Sequence, residues 1–124
     1  MSTDEKKQNN GTILVCDDDD AVRRVTKLML QRIGYEVIDV ATGNEAIETY
    51  KSNDIEYVLV DLTMPGMDGV ELCEALRKLD PNVKVVLSSG YSQIELSKKY
   101  SEHGFTAFLQ KPYSIKHLQD IFTT

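Results

Sequence analysis

Residues 57–69 have the sequence Tyr-Val-Leu-Val-Asp-Leu-Thr-Met-Pro-Gly-Met-Asp-Gly. Tyr57–Val60 is apolar at consecutive positions, which is typical of a strand that is covered on both faces, as in a parallel sheet. Asp61 follows this run as a lone carboxylate, and a proline–glycine turn signal comes next. Asp68, with a glutamate three residues later, resembles the start of a helix. The stretch therefore predicts a buried strand with an acidic end and a turn into a helix.

Four other apolar runs of about five residues, rich in Val, Ile and Leu, lie outside this stretch. Several are apolar at consecutive positions rather than alternating, which again favours strands buried on both faces. With the run already quoted, the five predicted strands are Thr12–Cys16, Glu36–Val40, Tyr57–Val60, Val83–Leu87 and Phe105–Leu109.

Apolar residues recur at helical spacing between these runs. In the first such segment they are Val22, Val25, Leu28, Met29 and Ile33, and Gly34 ends the pattern. Helix-start signals open the later segments, at Thr42 with Glu45, Asp68 with Glu71, Ser92 with Glu95, and Ser114. Parallel strands need long crossovers, which are helices here. The order of strand then helix, five times over, predicts an α/β fold with a doubly wound parallel sheet.

The composition fits one globular domain of 124 residues with 41% hydrophobic and 27% charged residues. A formal net charge of −6 argues against direct binding of nucleic acid or of an anionic membrane surface. The sequence has no apolar stretch near the roughly 18 residues of a membrane span, and the two cysteines form no CxxC pair. We expect a cytoplasmic protein with a disordered tail or linker over 1–10 and one domain over 11–124.

In doubly wound folds the functional groups lie at the carboxyl ends of the strands. The polar residues of this sequence follow that rule, since four of its predicted strands end in side chains that can do chemistry. These residues are Asp17 and Asp18 after the first strand, Asp61 after the third, Ser88 and Ser89 after the fourth, and Lys111 with Pro112 after the fifth. We therefore expect one site at this rim.

Asp17, Asp18 and Asp61 would repel one another unless a cation neutralised them. Mg²⁺ prefers a few carboxylate oxygens together with water and phosphate. Lys111 adds a fixed positive charge and Ser89 a hydroxyl donor, and such an assembly suits phosphoryl transfer, which depends on positioning and charge neutralisation. Asp61 is the candidate nucleophile because it ends a buried strand alone, whereas Asp17 and Asp18 are a pair suited to a metal.

Four segments resemble the receiver domain of response regulators in two-component signalling. They are residues 13–19 (Ile-Leu-Val-Cys-Asp-Asp-Asp), 58–69 (Val-Leu-Val-Asp-Leu-Thr-Met-Pro-Gly-Met-Asp-Gly), 88–91 (Ser-Ser-Gly-Tyr) and 108–113 (Phe-Leu-Gln-Lys-Pro-Tyr). The resemblance covers about 11–124. It implies a flavodoxin-like fold with strand order 2-1-3-4-5 and five helices.

The resemblance also implies a role for each matching residue. Asp61 matches the phosphoacceptor, and Lys111 matches the lysine that pairs with the phosphoryl oxygens and precedes a cis bond to Pro112. Asp18 matches a direct ligand of Mg²⁺ or Mn²⁺, and Asp17 matches a ligand that acts directly or through water. In addition, the backbone carbonyl of Thr63 matches the completing ligand, Gly90 the small position for phosphate access, and Ser89 and Phe108 the switch pair. Asp19, in the same acidic run, is a further candidate metal contact.

A receiver of this kind takes a phosphoryl group from the phosphohistidine of a sensor histidine kinase or a histidine phosphotransfer domain. It is a signalling domain with self-catalysed phosphorylation and dephosphorylation rather than an ordinary enzyme. The output would be a change in the face formed by helix 4, strand 5 and helix 5, which a downstream protein binds, and homodimer formation stays open. Helix 4, about Ser92–His103, has few apolar anchors, and switching elements come from such regions of low stability.

Three alternatives remain open from the residues. A haloacid-dehalogenase-like phosphatase would use Asp17 as the nucleophile, but Ala21 stands where that family has Thr or Val. A flavin-binding electron carrier shares the sheet order, yet four aspartates after the first strand would repel its phosphate. A degenerate receiver would serve only as a protein-interaction module. The chain is either a stand-alone regulator or a receiver from a hybrid histidine kinase.

Overall fold

The structure is a computed structural model that describes residues 10–122. Its strands are β1 (Thr12–Cys16), β2 (Glu36–Val40), β3 (Tyr57–Asp61), β4 (Val85–Ser89) and β5 (Ala107–Gln110). Its helices are α1 (Asp20–Arg32), α2 (Gly43–Ser52), α3 (Gly69–Leu79), α4 (Gln93–Tyr100) and α5 (Ile115–Phe122). A short 3₁₀ turn, Ser101–His103, follows α4. Of the predicted tail over 1–10, residues 1–9 lie outside the described residues, so its boundary stays a prediction.

All neighbouring strands are parallel, and the order across the sheet is β2-β1-β3-β4-β5. This confirms the predicted doubly wound α/β fold, its flavodoxin-like strand order and its five helices. The register pairs Asp61 at the end of β3 with Ser88 near the end of β4. The parallel arrangement therefore brings the carboxyl ends of β1, β3, β4 and β5 to one edge of the sheet.

The side chains of each central strand alternate between two apolar layers, as the pleat of a strand requires. In β3, Val58 and Val60 pack on one side with residues of α2, α3 and α4. Leu59 packs on the other side with residues of α1 and α5. Burial on both faces explains why this strand is apolar at consecutive positions.

Two predicted strand boundaries were wrong by two residues at their starts. We predicted Val83–Leu87 and Phe105–Leu109, whereas β4 begins at Val85 and β5 at Ala107. The Val83 N–H donates to the Asp80 carbonyl in a turn, so this residue is buried without joining the sheet. Phe105 likewise lies outside its strand, and its side chain packs against the apolar layer that contains residues of α2, α3 and α4. At both places the apolar residues continue beyond the hydrogen-bonded strand. The apolar pattern of the sequence alone cannot distinguish strand residues from apolar residues of the preceding turn.

Side-chain caps fix where the helices begin. Asp68 and Ser92 each form a complete capping box with the glutamate three residues later, as predicted. Thr42 forms half of one, because the Glu45 carboxylate accepts from the Ala41 N–H and the Thr42 hydroxyl instead of the Thr42 N–H. None of the described helices combines the length and the apolar character needed to cross a bilayer.

The start of α5 uses a residue that the sequence analysis did not assign. The Ser114 hydroxyl accepts from the His117 N–H at 3.2 Å, and His117 Nδ1 accepts from the Ser114 N–H at 3.1 Å. His117 thus takes the place that Glu or Gln has in a capping box. The imidazole caps a helix here.

α4 is shorter than the predicted segment Ser92–His103, whose last residues form the 3₁₀ turn. Leu96 is its only fully buried side chain, while Ile94 is 69% exposed. By comparison, α3 buries Leu72, Cys73 and Leu76. The weak apolar anchoring expected from the sequence is therefore confirmed for α4.

Gly69, the first residue of α3, lies against the backbone that follows Asp61. A Cβ at this position would lie 2.7 Å from the Asp61 carbonyl oxygen and 3.1 Å from the Leu62 Cα. Backbone atoms cannot move aside as a flexible side chain would. The close packing of α3 on the end of β3 therefore requires glycine here.

We expect Gly69→Ala to lower the free energy of unfolding by about 1–3 kcal/mol, because overpacking against backbone costs that much. Gly90→Ala is the matched control, since a Cβ at Gly90 would meet nothing within 4 Å. Urea denaturation of both variants measures the difference. Equal stability of the two variants would contradict the predicted clash.

Candidate functional site

Asp17 and Asp18 follow β1 directly and differ in exposure. Asp17 is 3% exposed, and its backbone N–H donates to the Val40 carbonyl at the end of β2 at 3.2 Å. Its Oδ1 accepts from the Asp19 N–H at 2.9 Å. Asp18 is exposed to solvent. The pair thus offers one buried carboxylate and one that faces water.

Asp61 is the last residue of β3 and is 9% exposed. Burial raises the pKa of its carboxyl group above the ordinary aspartate value, and the Lys111 ammonium opposes this shift. The nearby carboxylates of Asp17 and Asp18 raise the pKa further. The folded protein therefore holds the Asp61 carboxylate at a place where its negative charge is unfavourable.

Lys111 joins two of these carboxylates. Its Nζ donates to Asp17 Oδ2 at 2.8 Å and to Asp61 Oδ1 at 3.0 Å. Burial alone would lower the pKa of the ammonium, but the hydrogen bonds to Asp17 and Asp61 outweigh it and raise the pKa. Lys111 is thus held charged between the ends of β1 and β3, and its peptide bond to Pro112 is cis, as the resemblance implied.

The three carboxylates form a cluster that fits a divalent cation. Asp17, Asp18 and Asp61 each present an oxygen, and these oxygens lie within 4.8 Å of one another. When all three are ionised, they and the Lys111 ammonium leave two negative charges, which one divalent cation would balance. Hard oxygen donors with one side open to water suit Mg²⁺, which keeps several waters. The residues present therefore fit the predicted metal.

The two serines at the end of β4 make different contacts. The Ser88 hydroxyl donates to the Val60 carbonyl inside the sheet at 3.2 Å. The Ser89 hydroxyl accepts from the Tyr91 N–H at 3.4 Å, and the Ser89 carbonyl accepts from the Lys111 N–H at 2.7 Å. Ser88 is thus engaged within the sheet, and Ser89 is joined to the loop that carries Lys111.

Phe108 lies half-buried in β5 and packs against Phe105, with 5.7 Å between ring centroids. Its backbone carbonyl accepts from the side-chain amide of Gln93 at 2.8 Å. This bond connects the first residue of α4 to the edge strand of the sheet. The predicted switch residue is therefore in direct contact with α4.

The other predicted positions have simpler surroundings. Thr63 is exposed in the loop after β3, two residues beyond Asp61. Gly90 follows Ser89 in open space. Asp19 caps α1, since its Oδ1 accepts from the Ala21 and Val22 N–H groups. The Asp19 carboxylate lies outside the described cluster of three.

Two groups that contact the elements of the site were not predicted from the sequence. Arg23 of α1 contacts the Asp17 carbonyl and Asp39 of β2. The Tyr113 hydroxyl shares a 2.7 Å hydrogen bond with Thr26, which also donates to a helix carbonyl and so leaves the tyrosine to donate. For the first group the available signal was Asp39, an aspartate between two apolar residues of β2. The second had none, because the pairing spans 87 positions.

The fold and this rim define a doubly wound α/β domain with an acidic, lysine-bridged site. The family model for the response regulator receiver domain matches residues 13–123. The chain belongs to this family, and it is a receiver domain of two-component systems, a signalling domain rather than a classical enzyme.

Individual relatives agree with this assignment. The chain is 34% identical to the chemotaxis protein CheY of Thermotoga maritima, over 82% of this chain and 85% of that protein. It is 36% identical to sensor kinase CckA of Brucella abortus, over 88% of this chain but only 12% of that protein. Response regulator protein TrrA of Thermotoga maritima, solved with Mg(2+)-BeF, is 29% identical, with a TM-score of 0.80 and coverage of 89% and 94%.

We expect Asp61→Asn to raise the free energy of unfolding at neutral pH in EDTA. Because the pKa of Asp61 is raised by folding, the folded state binds more protons than the unfolded state between the two pKa values. Stability therefore falls as the pH rises through that window, and asparagine avoids this loss. Below the ordinary aspartate pKa of about 3.9, both states are protonated and the advantage disappears.

Urea denaturation from about pH 3 to about pH 8 measures this difference, with the exposed Asp54→Asn as the matched control. Saturating Mg²⁺ should then reverse the order at neutral pH, since only a protein that binds the ion is stabilised, by about 2.7 kcal/mol at 100 times the Kd. A less stable Asp61→Asn in EDTA at neutral pH would mean that the Lys111 pair outweighs burial.

Proposed function

We propose that this domain accepts a phosphoryl group on Asp61 from the phosphohistidine of a sensor histidine kinase or a histidine phosphotransfer domain. The observation that carries the proposal is the Lys111 ammonium held between Asp17 and Asp61 beside a third carboxylate. Transfer to an aspartate needs positive charge close to the phosphoryl oxygens and a carboxylate that acts as the nucleophile. This rim offers both.

In the proposed reaction, an Asp61 carboxylate oxygen forms a bond to phosphorus while the bond from phosphorus to the donor imidazole nitrogen breaks. The electron pair of that bond returns to the ring nitrogen, and the imidazole, which already carries a proton on its other nitrogen, leaves as the neutral ring. The product is an acyl phosphate on Asp61. Hydrolysis later releases inorganic phosphate and restores the carboxylate.

Lys111 would pair with the phosphoryl oxygens after transfer. In the unphosphorylated protein its ammonium neutralises Asp17 and Asp61. A phosphoryl group on Asp61 carries more negative charge than the carboxylate, so the ammonium has a stronger partner after the reaction. The Ser89 hydroxyl and the open space at Gly90 fit the remaining oxygens of the group.

Asp17, Asp18 and Asp61 would hold Mg²⁺ or Mn²⁺, with the Thr63 carbonyl as the completing ligand. When bound, the ion supplies the positive charge that stabilises the oxygens of the transferred group. The exposed Asp18 leaves the ion accessible to water and to the incoming phosphate. The presence of Mg(2+)-BeF in the related TrrA structure is consistent with this assignment.

The response to phosphorylation would pass through Ser89, Phe108 and α4. A hydroxyl that moves toward the phosphoryl group leaves space that the Phe108 ring can enter. Gln93 then transmits the change, because its side chain donates to the Phe108 carbonyl. The altered face formed by α4, β5 and α5 would be the binding surface for a downstream protein. The domain would act in the cytoplasm, without direct binding to nucleic acid and without insertion in a membrane.

The receiver domain could belong to either of two kinds of protein. The match to a sensor kinase, of which the chain spans 12%, favours a receiver from a hybrid histidine kinase, whereas the match to CheY favours a stand-alone regulator. In either case the phosphodonor is a histidine-containing partner.

Phosphorylation by acetyl phosphate tests the proposal. We expect a Mg²⁺-dependent, alkali-labile adduct of one phosphoryl group in the wild type, measured by intact mass with site mapping. Asp61→Asn should abolish the adduct because the acceptor oxygen is gone. Asp54→Asn, an exposed aspartate in a loop, should leave it unchanged.

Other results would point to the alternatives. A wild-type protein that forms no adduct and binds no beryllofluoride would be a degenerate receiver. An adduct on Asp17 that turns over would instead indicate a phosphatase of the haloacid-dehalogenase type. Each result therefore decides between functions that share this fold.

The switch makes a separate prediction for hydrogen exchange. We expect backbone amides of α4 to exchange faster than those of α1, because α4 is an eight-residue helix held by one buried side chain, Leu96, whereas α1 has 13 residues and buries both Thr26 and Leu30. Beryllofluoride with Mg²⁺ should change the exchange of α4 and β5 and leave α2 unchanged. Exchange in α4 that is no faster than in α1 would argue against a switch at this helix.

A further inference from the structure

Arg23 of α1 forms three hydrogen bonds to three different acceptors. Its Nε donates to Asp39 Oδ2 at 2.9 Å, and one terminal nitrogen donates to the Asp17 carbonyl at 2.8 Å. The other terminal nitrogen donates to Asp20 Oδ1 at 2.8 Å. The side chain is only 17% exposed. A planar guanidinium can satisfy three acceptors in fixed directions, which a lysine ammonium cannot do in the same way.

These contacts tie the acidic turn after β1 to the neighbouring strand. Asp39 belongs to β2, and Asp17 begins the turn that carries two of the three clustered carboxylates. The Asp17 N–H also donates to the Val40 carbonyl, so the backbone of this residue is held from both sides. Any shift of the Asp17 peptide would move the buried carboxylate and the following one together.

Asp39 is a firm anchor for this arrangement. Burial alone would raise the pKa of its carboxyl group, but hydrogen bonds from Arg23 and Lys27 outweigh burial and hold the pKa below its ordinary value. The Lys27 ammonium lies 3.3 Å from Asp39 Oδ1, so the second oxygen of the carboxylate is also occupied. Asp39 is thus charged and fixed at neutral pH.

The charge of Arg23 is already balanced by Asp39 and Asp20. Arg23 therefore does not serve to neutralise the clustered carboxylates, a task that Lys111 performs. Its one contact with the site is to a backbone carbonyl. Such a contact fixes a position and leaves the charge of the site unchanged.

We propose that Arg23 is a positioning residue that, anchored by Asp39, fixes the Asp17 peptide so that Asp17 and Asp18 are preorganised to receive the divalent cation. This inference rests on the proposed function, because it assumes that the acidic cluster binds Mg²⁺. Groups that orient metal ligands typically change metal affinity by about 10- to 100-fold when they are removed.

The sign of the effect separates positioning from simple electrostatics. Removing a positive charge near an anionic site should strengthen cation binding if charge alone matters. Removing a positioning group should weaken it. Arg23→Gln is therefore expected to raise the Mg²⁺ Kd by about 10-fold or more. Arg24→Gln is the matched control, since it makes the same charge change at the next, exposed residue of α1.

The test measures the Mg²⁺ Kd by isothermal titration calorimetry, with urea denaturation in EDTA to verify that each variant is folded. Arg23→Lys keeps the positive charge but loses the planar guanidinium with its three directed donors. We therefore expect a loss of Mg²⁺ affinity close to that of Arg23→Gln. Asp39→Asn should weaken binding in the same direction, with little further loss in the Arg23→Gln background because both act through one contact.

Three results would overturn the inference. If Arg23→Gln binds Mg²⁺ as tightly as Arg24→Gln but is less stable, Arg23 has a structural role alone. If Arg23→Lys binds Mg²⁺ with the full wild-type affinity, the three directed contacts of the guanidinium are not needed to fix the acidic turn. If the wild type itself binds no Mg²⁺, the proposed function fails first. Should Arg23→Gln not fold, Arg23→Lys and Asp39→Asn carry the same comparison.

Discussion

The main constraint on the site is the repulsion among the carboxylates of Asp17, Asp18 and Asp61. The fold brings one oxygen of each within 4.8 Å of the others. Folding gains nothing from this proximity, because the carboxylates of Asp17 and Asp61 are buried and all three meet like charge. Lys111 relieves part of the cost by bonding to two of the three. The proposed divalent cation would balance the remaining negative charge. The apolar sheet and the backbone contacts of β1 and β3 therefore supply the free energy that keeps the site assembled.

Much of this arrangement could be predicted from the sequence, because parallel strands carry the residues that follow them to one edge. That rule alone predicted that Asp17, Asp61 and Lys111 would meet, although they are up to 94 positions apart. It could not give the contacts among side chains from different elements. Arg23 reads as an ordinary exposed residue of a helix until β2 places Asp39 beside it.

The strand boundaries show the same limit at the level of the backbone. Val83 is as apolar and buried as a strand residue, yet its N–H closes a turn after α3. Hydrophobic pattern reports burial, whereas strand assignment requires a hydrogen-bonded neighbour. His117 is a further case, because no local rule gives a histidine the capping role that a glutamate usually has. Features such as these two can be assigned only once the tertiary structure is known.

The two halves of the site differ in how firmly they are held, and this difference suits a switch. The Asp17 backbone is fixed at both of its polar groups, because its N–H donates to the Val40 carbonyl and its carbonyl accepts from Arg23. Asp61 lies at the end of a strand that is buried on both faces. Ser89 and Phe108, in contrast, border α4, which has a single fully buried anchor. Under the proposed function, a charge added at Asp61 would meet a rigid acidic turn on one side and a weakly anchored helix on the other. Structural change should follow the softer path, toward α4 and β5, because rearrangement there breaks fewer apolar contacts.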